Sequence, residues 1–238
     1  MTSESRRQDS TRRTFLQWVG LGLLSLPADS LLADRAMAAR PRPASAPTTP
    51  KIMLIRHAEK PNTDGSGSLG IAATGQPDPE SLTVYGWQRA GALAQLFSQA
   101  AMLRESQYSA LVQPAQLFAS ALGKGSPSQR PAETLTPLAG RLGLTIKTPY
   151  AKTQTDLLGQ MLGSAARRGG TQGAVLVAWE HTQIPGLARA ITGQAELIPA
   201  KWPADRFDLI WVLDWHAGSK RFALTQVDQR LLMGDAGL

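Results

Sequence analysis

Two segments of the sequence run from apolar residues into charged ones. Residues 51–57 read KIMLIRH, and residues 174–181 read AVLVAWEH. Short apolar runs of this kind are typical of buried strands. In an open parallel sheet, ligand sites collect at the carboxyl ends of the strands. His57 and His181 are therefore expected to lie near each other at one edge of a sheet.

Arginine side chains accompany these histidines. Arg56 directly precedes His57, and Arg130 opens a predicted helix between the two segments. A guanidinium group can bind two oxygens of a phosphoryl group at once, and imidazoles can reach the remaining oxygens. An unprotonated histidine is also a nucleophile, and a covalent phosphohistidine divides a difficult hydrolysis into two easier transfers. The pattern favours a phosphoryl-transfer site in which Arg56, His57, Arg130 and His181 bind phosphate; the alternative is two ordinary strand ends at a solvated edge.

The composition narrows the class of protein. The chain has 238 residues, 42% of them hydrophobic, with a formal net charge of +7, which suits one α/β domain. Its Lys and Arg residues are dispersed, so nucleic acid is not an expected partner. The chain has no cysteine, which excludes disulfides and thiolate zinc sites. It has three histidines, of which His216 falls in a predicted turn and is expected to be solvated.

Apolar patterning from residue 51 onward alternates between strands and helices. Predicted strands cover residues 51–55, 108–112, 145–147 and 174–178, and a terminal hairpin covers 207–215 and 221–226. Predicted helices cover residues 83–98, 131–142, 156–168 and 184–192, whereas 113–124 are ambiguous between a short helix and an insertion. Residues 61–81 form a long loop rich in Gly and Pro, of the kind that is usually functional or mobile. This alternation predicts an α/β fold.

These residues resemble the histidine phosphatase superfamily. Its usual Arg-His-Gly pattern is similar to Arg56-His57 followed here by Ala, and its R-A-x-x-T helix start is similar to residues 130–134, RPAET. By this resemblance His57 would be the phosphorylated nucleophile, with Arg56 and Arg130 as phosphate ligands. The resemblance implies a three-layer α/β/α sandwich with a mostly parallel central sheet, like that of phosphoglycerate mutase.

The resemblance extends over roughly residues 51 to 193. Residues 82–90, LTVYGWQRA, look like the first helix of the family, and His181 has the setting of its second histidine. Residues 179–181, Trp-Glu-His, look like the mark of a subgroup whose substrate the sequence does not name. Arginine and histidine supply the positive charge that a metal ion otherwise would, so no metal or other cofactor is expected.

A proton donor is needed for the leaving alkoxide, and a carboxyl group is the usual choice. Glu180 is the first candidate, because burial at a strand tip could raise its pKa enough to hold a proton. Strand alternation would point residues 180 and 181 to opposite faces unless the backbone breaks there. Glu59 and Asp156 therefore remain alternatives, and so does a structural, helix-capping role for Glu180.

The first fifty residues differ from the rest. Arg12 and Arg13 precede an apolar stretch over residues 15–26, and residues 11–16, TRRTFL, resemble a twin-arginine export signal. Residues 36–38, AMA, have the spacing of a cleavage site. The sequence thus predicts a signal peptide over 1–38, a Pro- and Ala-rich linker over 39–50 and a catalytic domain over 51–238. The domain would be periplasmic or otherwise extracytoplasmic, with no stable membrane span after cleavage; the alternative is a retained amphipathic N-terminal helix.

Three functions are compatible with these residues. The first is an exported phosphatase that hydrolyses a small phosphorylated substrate through phospho-His57. The second is a non-catalytic binder of a phosphorylated ligand that uses the same arginines and histidines. A phosphomutase is the weaker third, because export would separate it from glycolytic substrates.

Overall fold

The computed structural model describes residues 50–62, 64, 67–103, 106–123, 125–170 and 173–236. The predicted signal peptide over residues 1–38 lies outside the described residues, as does the linker over 39–50 except for Pro50. Within the described part, no helix combines the length and the apolar character needed to cross a membrane.

A six-stranded mixed sheet forms the centre of the domain. Its strands are β1 (Lys51–Arg56), β2 (Pro114–Ala119), β3 (Ile146–Lys147), β4 (Ala174–Trp179), β5 (Leu209–His216) and β6 (Arg221–Asp228). Their order in the sheet is β3-β2-β4-β1-β5-β6. The pairs among β3, β2, β4 and β1 are parallel, whereas β5 pairs antiparallel with both β1 and β6.

Among the described residues, four α-helices cover the two faces of the sheet. They are α1 (Val84–Ser98), α2 (Arg130–Leu142), α3 (Thr155–Arg167) and α4 (Ile184–Thr192), with short 3-10 turns at Ala100–Met102 and Ala195–Leu197. Apolar residues of α1 and α2 share one buried cluster with one face of the central strands. Residues of α3 and α4 share a second cluster with the other face. The predicted three-layer α/β/α sandwich with a mostly parallel sheet is therefore confirmed.

Local signals explain where the helices begin and end. The Thr83 hydroxyl caps α1 by accepting the N–H of Gly86 at 3.1 Å. Helices α2 and α4 end at Gly143 and Gly193, whose φ angles of 65° and 66° lie in the left-handed region that glycine tolerates best. The predicted helix bounds agree with the structure to within one residue at each end.

The prediction for the second strand is wrong. Residues 108–112 form turns and loop, and β2 lies instead at Pro114–Ala119, inside the stretch that the sequence left ambiguous. The sequence PAQLFA has little strand tendency of its own. It pairs with β4 on one side and β3 on the other, and Leu117 and Ala119 are fully buried there. Tertiary burial therefore decides the position of this strand.

Neighbouring strands and one helix place the predicted site residues together. Arg56 at the end of β1 pairs with Trp179 at the end of β4, and the N–H of His57 donates to the Trp179 carbonyl at 3.0 Å. The N-terminal part of α2 contacts the segment that follows β1, because the Thr134 hydroxyl accepts the N–H of Ala58 at 2.8 Å. The carboxyl ends of β1 and β4 thus meet the N-terminus of α2.

Candidate active site

A cleft of about 260 Å³ lies where these strand ends meet α2. His57, Arg130, Glu180 and His181 all line it. The chain turns directly after β4, with the N–H groups of residues 183 and 184 both donating to the Glu180 carbonyl. This break in the strand lets neighbouring residues 180 and 181 face the same cleft, which strict alternation would not allow.

His57 has the protonation state that a nucleophile needs. Its side chain is buried, and its Nδ1 lies 2.7 Å from the carbonyl oxygen of Ala58. A carbonyl can only accept, so Nδ1 carries the hydrogen and Nε2 keeps a free lone pair. Burial, together with the positive charges of Arg56 and Arg130, lowers the pKa of His57 to about 3. The imidazole is therefore neutral at neutral pH.

Arg56 is buried close enough to both histidines for its charge to act on them. Its guanidinium Cζ is 3.6 Å from the centroid of the Phe207 ring, and its Nη1 donates to the carbonyl of Ala204. Burial lowers the pKa of Arg56 to about 10, which leaves it cationic at neutral pH. Its charge lowers the pKa of both His57 and His181. Direct binding of phosphate by Arg56 stays a prediction.

Arg130 is held by the loop that precedes α1. Its Nη2 donates to the carbonyl of Pro79 at 2.6 Å and to Oε2 of Glu80 at 3.3 Å. Its Nε donates to the Ser81 carbonyl at 3.4 Å. These hydrogen bonds orient Arg130, the second predicted phosphate ligand, at the cleft. The sequence distinguished this loop only by its Gly and Pro content.

His181 lies in the cleft with one ring nitrogen unused. Its Nδ1 is buried and has no hydrogen-bond partner among the described residues. Burial lowers the pKa of His181, and the charges of Arg56 and Lys60 lower it further. A neutral imidazole with an unpartnered nitrogen is suited to binding an oxygen of a ligand.

The expected rise in the pKa of Glu180 is wrong. Burial alone would raise the pKa of this carboxyl, but hydrogen bonds from Lys152 and Thr182 outweigh burial and lower it. Lys152 Nζ lies 3.1 Å from Oε2, and the Thr182 hydroxyl donates to Oε1 at 3.0 Å. Glu180 lines the cleft, and its lowered pKa favours the ionised form at neutral pH, so its role as the proton donor stays a prediction.

The two alternative carboxyl groups lie away from the cleft. Glu59 accepts a hydrogen bond from Nε of Arg89 at 2.8 Å, and Arg89 is also bonded to Asp235 near the end of the described chain. Asp156 is exposed in the first turn of α3. Neither residue lines the cleft that contains His57, and a role of either one as the proton donor stays a prediction.

Glu80 is the carboxyl group that the sequence reasoning missed. It lines the cleft, and its side chain is 38% exposed beside Arg130. A signal was available, because Glu80 closes the long loop just before the motif at residues 82–90. A second overlooked acid, Glu133, has a structural role: burial raises its pKa, and it accepts the Ser81 hydroxyl at 2.7 Å and the Leu82 N–H at 2.8 Å.

His216 and four tryptophans do not line this cleft. His216 is exposed at the end of β5, as expected. Trp179, Trp202, Trp211 and Trp215 are all buried in one apolar cluster, so they are mainly core residues. No group of acidic or histidine side chains among the described residues could hold a metal ion.

Comparison with known proteins finds solved structures of low similarity. No family model and no curated protein matches the sequence. Among solved structures, a phosphoserine phosphatase variant from Entamoeba histolytica in complex with phosphoserine is 13% identical, with a TM-score of 0.47 over 77% of this chain and 100% of that chain. A mycobacterial glucosyl-3-phosphoglycerate phosphatase is 15% identical, with a TM-score of 0.40 over 74% of this chain and 97% of that chain.

A third similar structure is the ecdysone phosphate phosphatase from Bombix mori in complex with tungstate. It is 13% identical to this chain, with a TM-score of 0.41 over 74% of this chain and 92% of its own. All three of these proteins are phosphatases by name. At such low identity the function of this chain has to be argued from its own site.

Proposed function

We propose that this chain is a histidine phosphatase that hydrolyses a small phosphomonoester through a phosphohistidine on His57. The observation that carries the proposal is the protonation state of His57 together with its position in the cleft. Its Nδ1 is bonded to the Ala58 carbonyl, its pKa is lowered to about 3, and it lines one cleft with Arg130 and His181. A neutral imidazole with a free Nε2 beside cationic and hydrogen-bonding groups is arranged for attack on phosphorus.

The reaction takes two steps. In the first, Nε2 of His57 forms a bond to phosphorus, the bond to the ester oxygen breaks, and the leaving alkoxide takes up a proton. In the second, water attacks the phosphohistidine, the N–P bond breaks and inorganic phosphate leaves. Arg130 and His181 bind the phosphoryl oxygens in both steps, and the nearby charge of Arg56 stabilises the anion.

Glu80 is the proton donor in this proposal. Of the two carboxyl groups that line the cleft, Glu180 is held ionised by Lys152, whereas Glu80 is bonded to the phosphate ligand Arg130. A phosphoryl dianion that binds Arg130 competes with Glu80 for the guanidinium and repels a second negative charge. The contact with Arg130 keeps the Glu80 carboxyl group beside the bound phosphoryl group, where it can supply the proton that the leaving alkoxide needs.

The test is turnover of para-nitrophenyl phosphate. We expect the domain to hydrolyse it and His57→Ala to abolish the activity. The matched control is His216→Ala, which removes an exposed histidine outside the cleft and should leave activity unchanged. Rapid acid-free quenching of the wild type should also trap a phosphoryl group on His57, detected by mass spectrometry.

Two other results would point to the alternatives. Phosphate affinity without turnover of any ester would make the chain a binder of phosphorylated ligands. Transfer of the phosphoryl group to an added alcohol in preference to water would make it a phosphomutase. Equal activity of the wild type and His57→Ala would remove the phosphohistidine mechanism.

We also propose that the domain is exported by the twin-arginine route. Support comes from the sequence alone, where Arg12 and Arg13 precede a modest apolar stretch and residues 36–38 read AMA. Replacing Arg12 and Arg13 together by Lys should retain the precursor in the cytoplasm of the cell that makes it. Unchanged export of the double variant, measured by cell fractionation, would exclude this route.

A further inference from the structure

Two serine hydroxyls in the cleft are not used by the mechanism. The Oγ atoms of Ser126 and Ser128 are both buried, and neither has a hydrogen-bond partner among the described residues. The Ser126 residue is only 3% exposed, and both serines line the cleft that contains His57. A buried hydroxyl without a partner is costly, so such a group at a cleft wall points to a ligand that supplies the missing bond.

Lys60 is a cation in the same cleft that has no ion-pair partner among the described residues. Arg130 is paired with Glu80 at 3.3 Å, and Lys152 is paired with Glu180 at 3.1 Å. Of the ion pairs formed by the described residues, none involves Lys60, although Lys60 lines the cleft. The Lys60 side chain is half-buried and close enough to His181 for its charge to act on that imidazole.

The phosphoryl group alone does not account for these three side chains. In the proposed reaction its oxygens are bound by Arg130 and His181, its phosphorus is attacked by His57, and the charge of Arg56 stabilises the anion. A neutral alcohol could satisfy the serine hydroxyls, but it would leave the charge of Lys60 without a counterion in a half-buried position. A carboxylate or a second phosphate would accept hydrogen bonds from both hydroxyls and pair with the ammonium group.

We propose that Lys60, Ser126 and Ser128 form a second anion site, so that the substrate is a small phosphomonoester whose alcohol part carries another anionic group. The cleft volume of about 260 Å³ is at the small end for ligand pockets and fits such a molecule. The inference rests on the proposed phosphatase function, and it concerns the substrate class rather than the phosphoryl chemistry.

The experiment compares three esters that share a three-carbon chain. Propyl phosphate has no second anion, 3-phosphooxypropanoate adds a carboxylate, and propane-1,3-diol bisphosphate adds a phosphate. We expect kcat/KM to favour at least one anionic ester over propyl phosphate by about tenfold or more, as a charge-assisted hydrogen bond provides. Which of the two is favoured identifies the second group as a carboxylate or a phosphate.

Variants assign the preference to these residues. Lys60→Gln should reduce the preference about tenfold, and Ser126→Ala or Ser128→Ala by a few-fold, whereas Lys60→Arg should largely retain it. Lys220→Gln is the matched control, since it removes the same charge at the turn between β5 and β6 and should leave the preference intact. No preference in the wild type, or an equal loss on all three esters in Lys60→Gln, would overturn the second anion site.

A binding measurement separates this inference from the proposed function. If neither para-nitrophenyl phosphate nor any of the three esters is hydrolysed, the phosphatase proposal fails. Isothermal titration calorimetry with the same esters then still tests the anion site. Tighter binding of an anionic ester that is lost in Lys60→Gln supports the site, and equal affinities for the three esters overturn it.

Discussion

The guanidinium group of Arg56 stacks on the ring of Phe207, with Cζ 3.6 Å from the ring centroid. Phe207 comes from the segment before β5, whereas Arg56 ends β1, so the contact links two distant parts of the chain at the predicted nucleophile. The same guanidinium donates to the Ala204 carbonyl. The 204–207 segment therefore fixes the position of a positive charge beside His57.

Loss of the aromatic ring should weaken the phosphatase reaction. We expect Phe207→Leu to lower kcat/KM for para-nitrophenyl phosphate about tenfold, since a desolvated cation–π contact contributes up to about 2 kcal/mol. Phe222→Leu is the control, because Phe222 lies 5.5 Å from Arg167 outside the cleft. If the two variants have equal kcat/KM values, the Arg56 contact has no role in the site.

Glu80 and Glu180 should respond differently to the leaving group. We expect Glu80→Gln to reduce kcat on propyl phosphate about 100-fold, and to change turnover of para-nitrophenyl phosphate little, because only the alkoxide needs a proton from an acid. Glu180→Gln should affect both substrates by similar factors. A loss confined to the alkyl ester in Glu180→Gln, and absent in Glu80→Gln, would assign the proton to Glu180.

Acid should destabilise the fold partly through His57. Its pKa is about 3 in the folded state and near 6.5 when unfolded, so between these values the unfolded chain binds the extra proton. Stability should therefore fall as the pH decreases through this window, by up to about 1.4 kcal/mol per pH unit from this group. Urea unfolding at a series of pH values should show a shallower loss for His57→Asn than for the wild type or for His216→Asn. Parallel curves for all three would contradict the buried neutral imidazole.

Two glycines of α1 should respond oppositely to alanine. A Cβ at Gly86 would lie 2.5 Å from the carbonyl oxygen of Glu59, whereas a Cβ at Gly91 would meet nothing within 4 Å. Gly86→Ala should cost about 1–3 kcal/mol by overpacking the loop that follows His57. Gly91→Ala should stabilise the helix by up to about 1 kcal/mol. Chemical unfolding checks both, and a stabilised Gly86→Ala would contradict the close approach.

Local patterns were sufficient for much of the fold. The fully buried strand at Ala174–Trp179 was visible as an apolar run, and α4 was visible from its periodicity and from Gly193. These elements depend mainly on their own residues, so the sequence predicts them closely. The segment around Tyr108 was predicted less well. Its residues resemble a strand, but Tyr108 lies in a turn, and its hydroxyl donates to the Gln229 carbonyl at 2.6 Å.

In the candidate site too, some features could be predicted from the sequence and others could not. Arg56, His57, Arg130 and His181 could be named from motifs because residue type and adjacency to a strand or helix end carry the signal. The protonation state and the partners of each group could not be predicted. Glu180 was expected to hold a proton, yet Lys152, 28 positions earlier in the chain, keeps it ionised.

The sequence by itself thus determined the four helices, most of the strands and the reactive residue types, since these follow from short-range patterns of apolar and polar side chains. Only the tertiary structure decided where β2 pairs, that Glu80 shares the cleft with Arg130, and that Ser126 lacks a partner. Strand pairing, desolvation and charge pairing all depend on neighbouring residues that are distant in the chain. Those neighbours come together only when the sheet has formed.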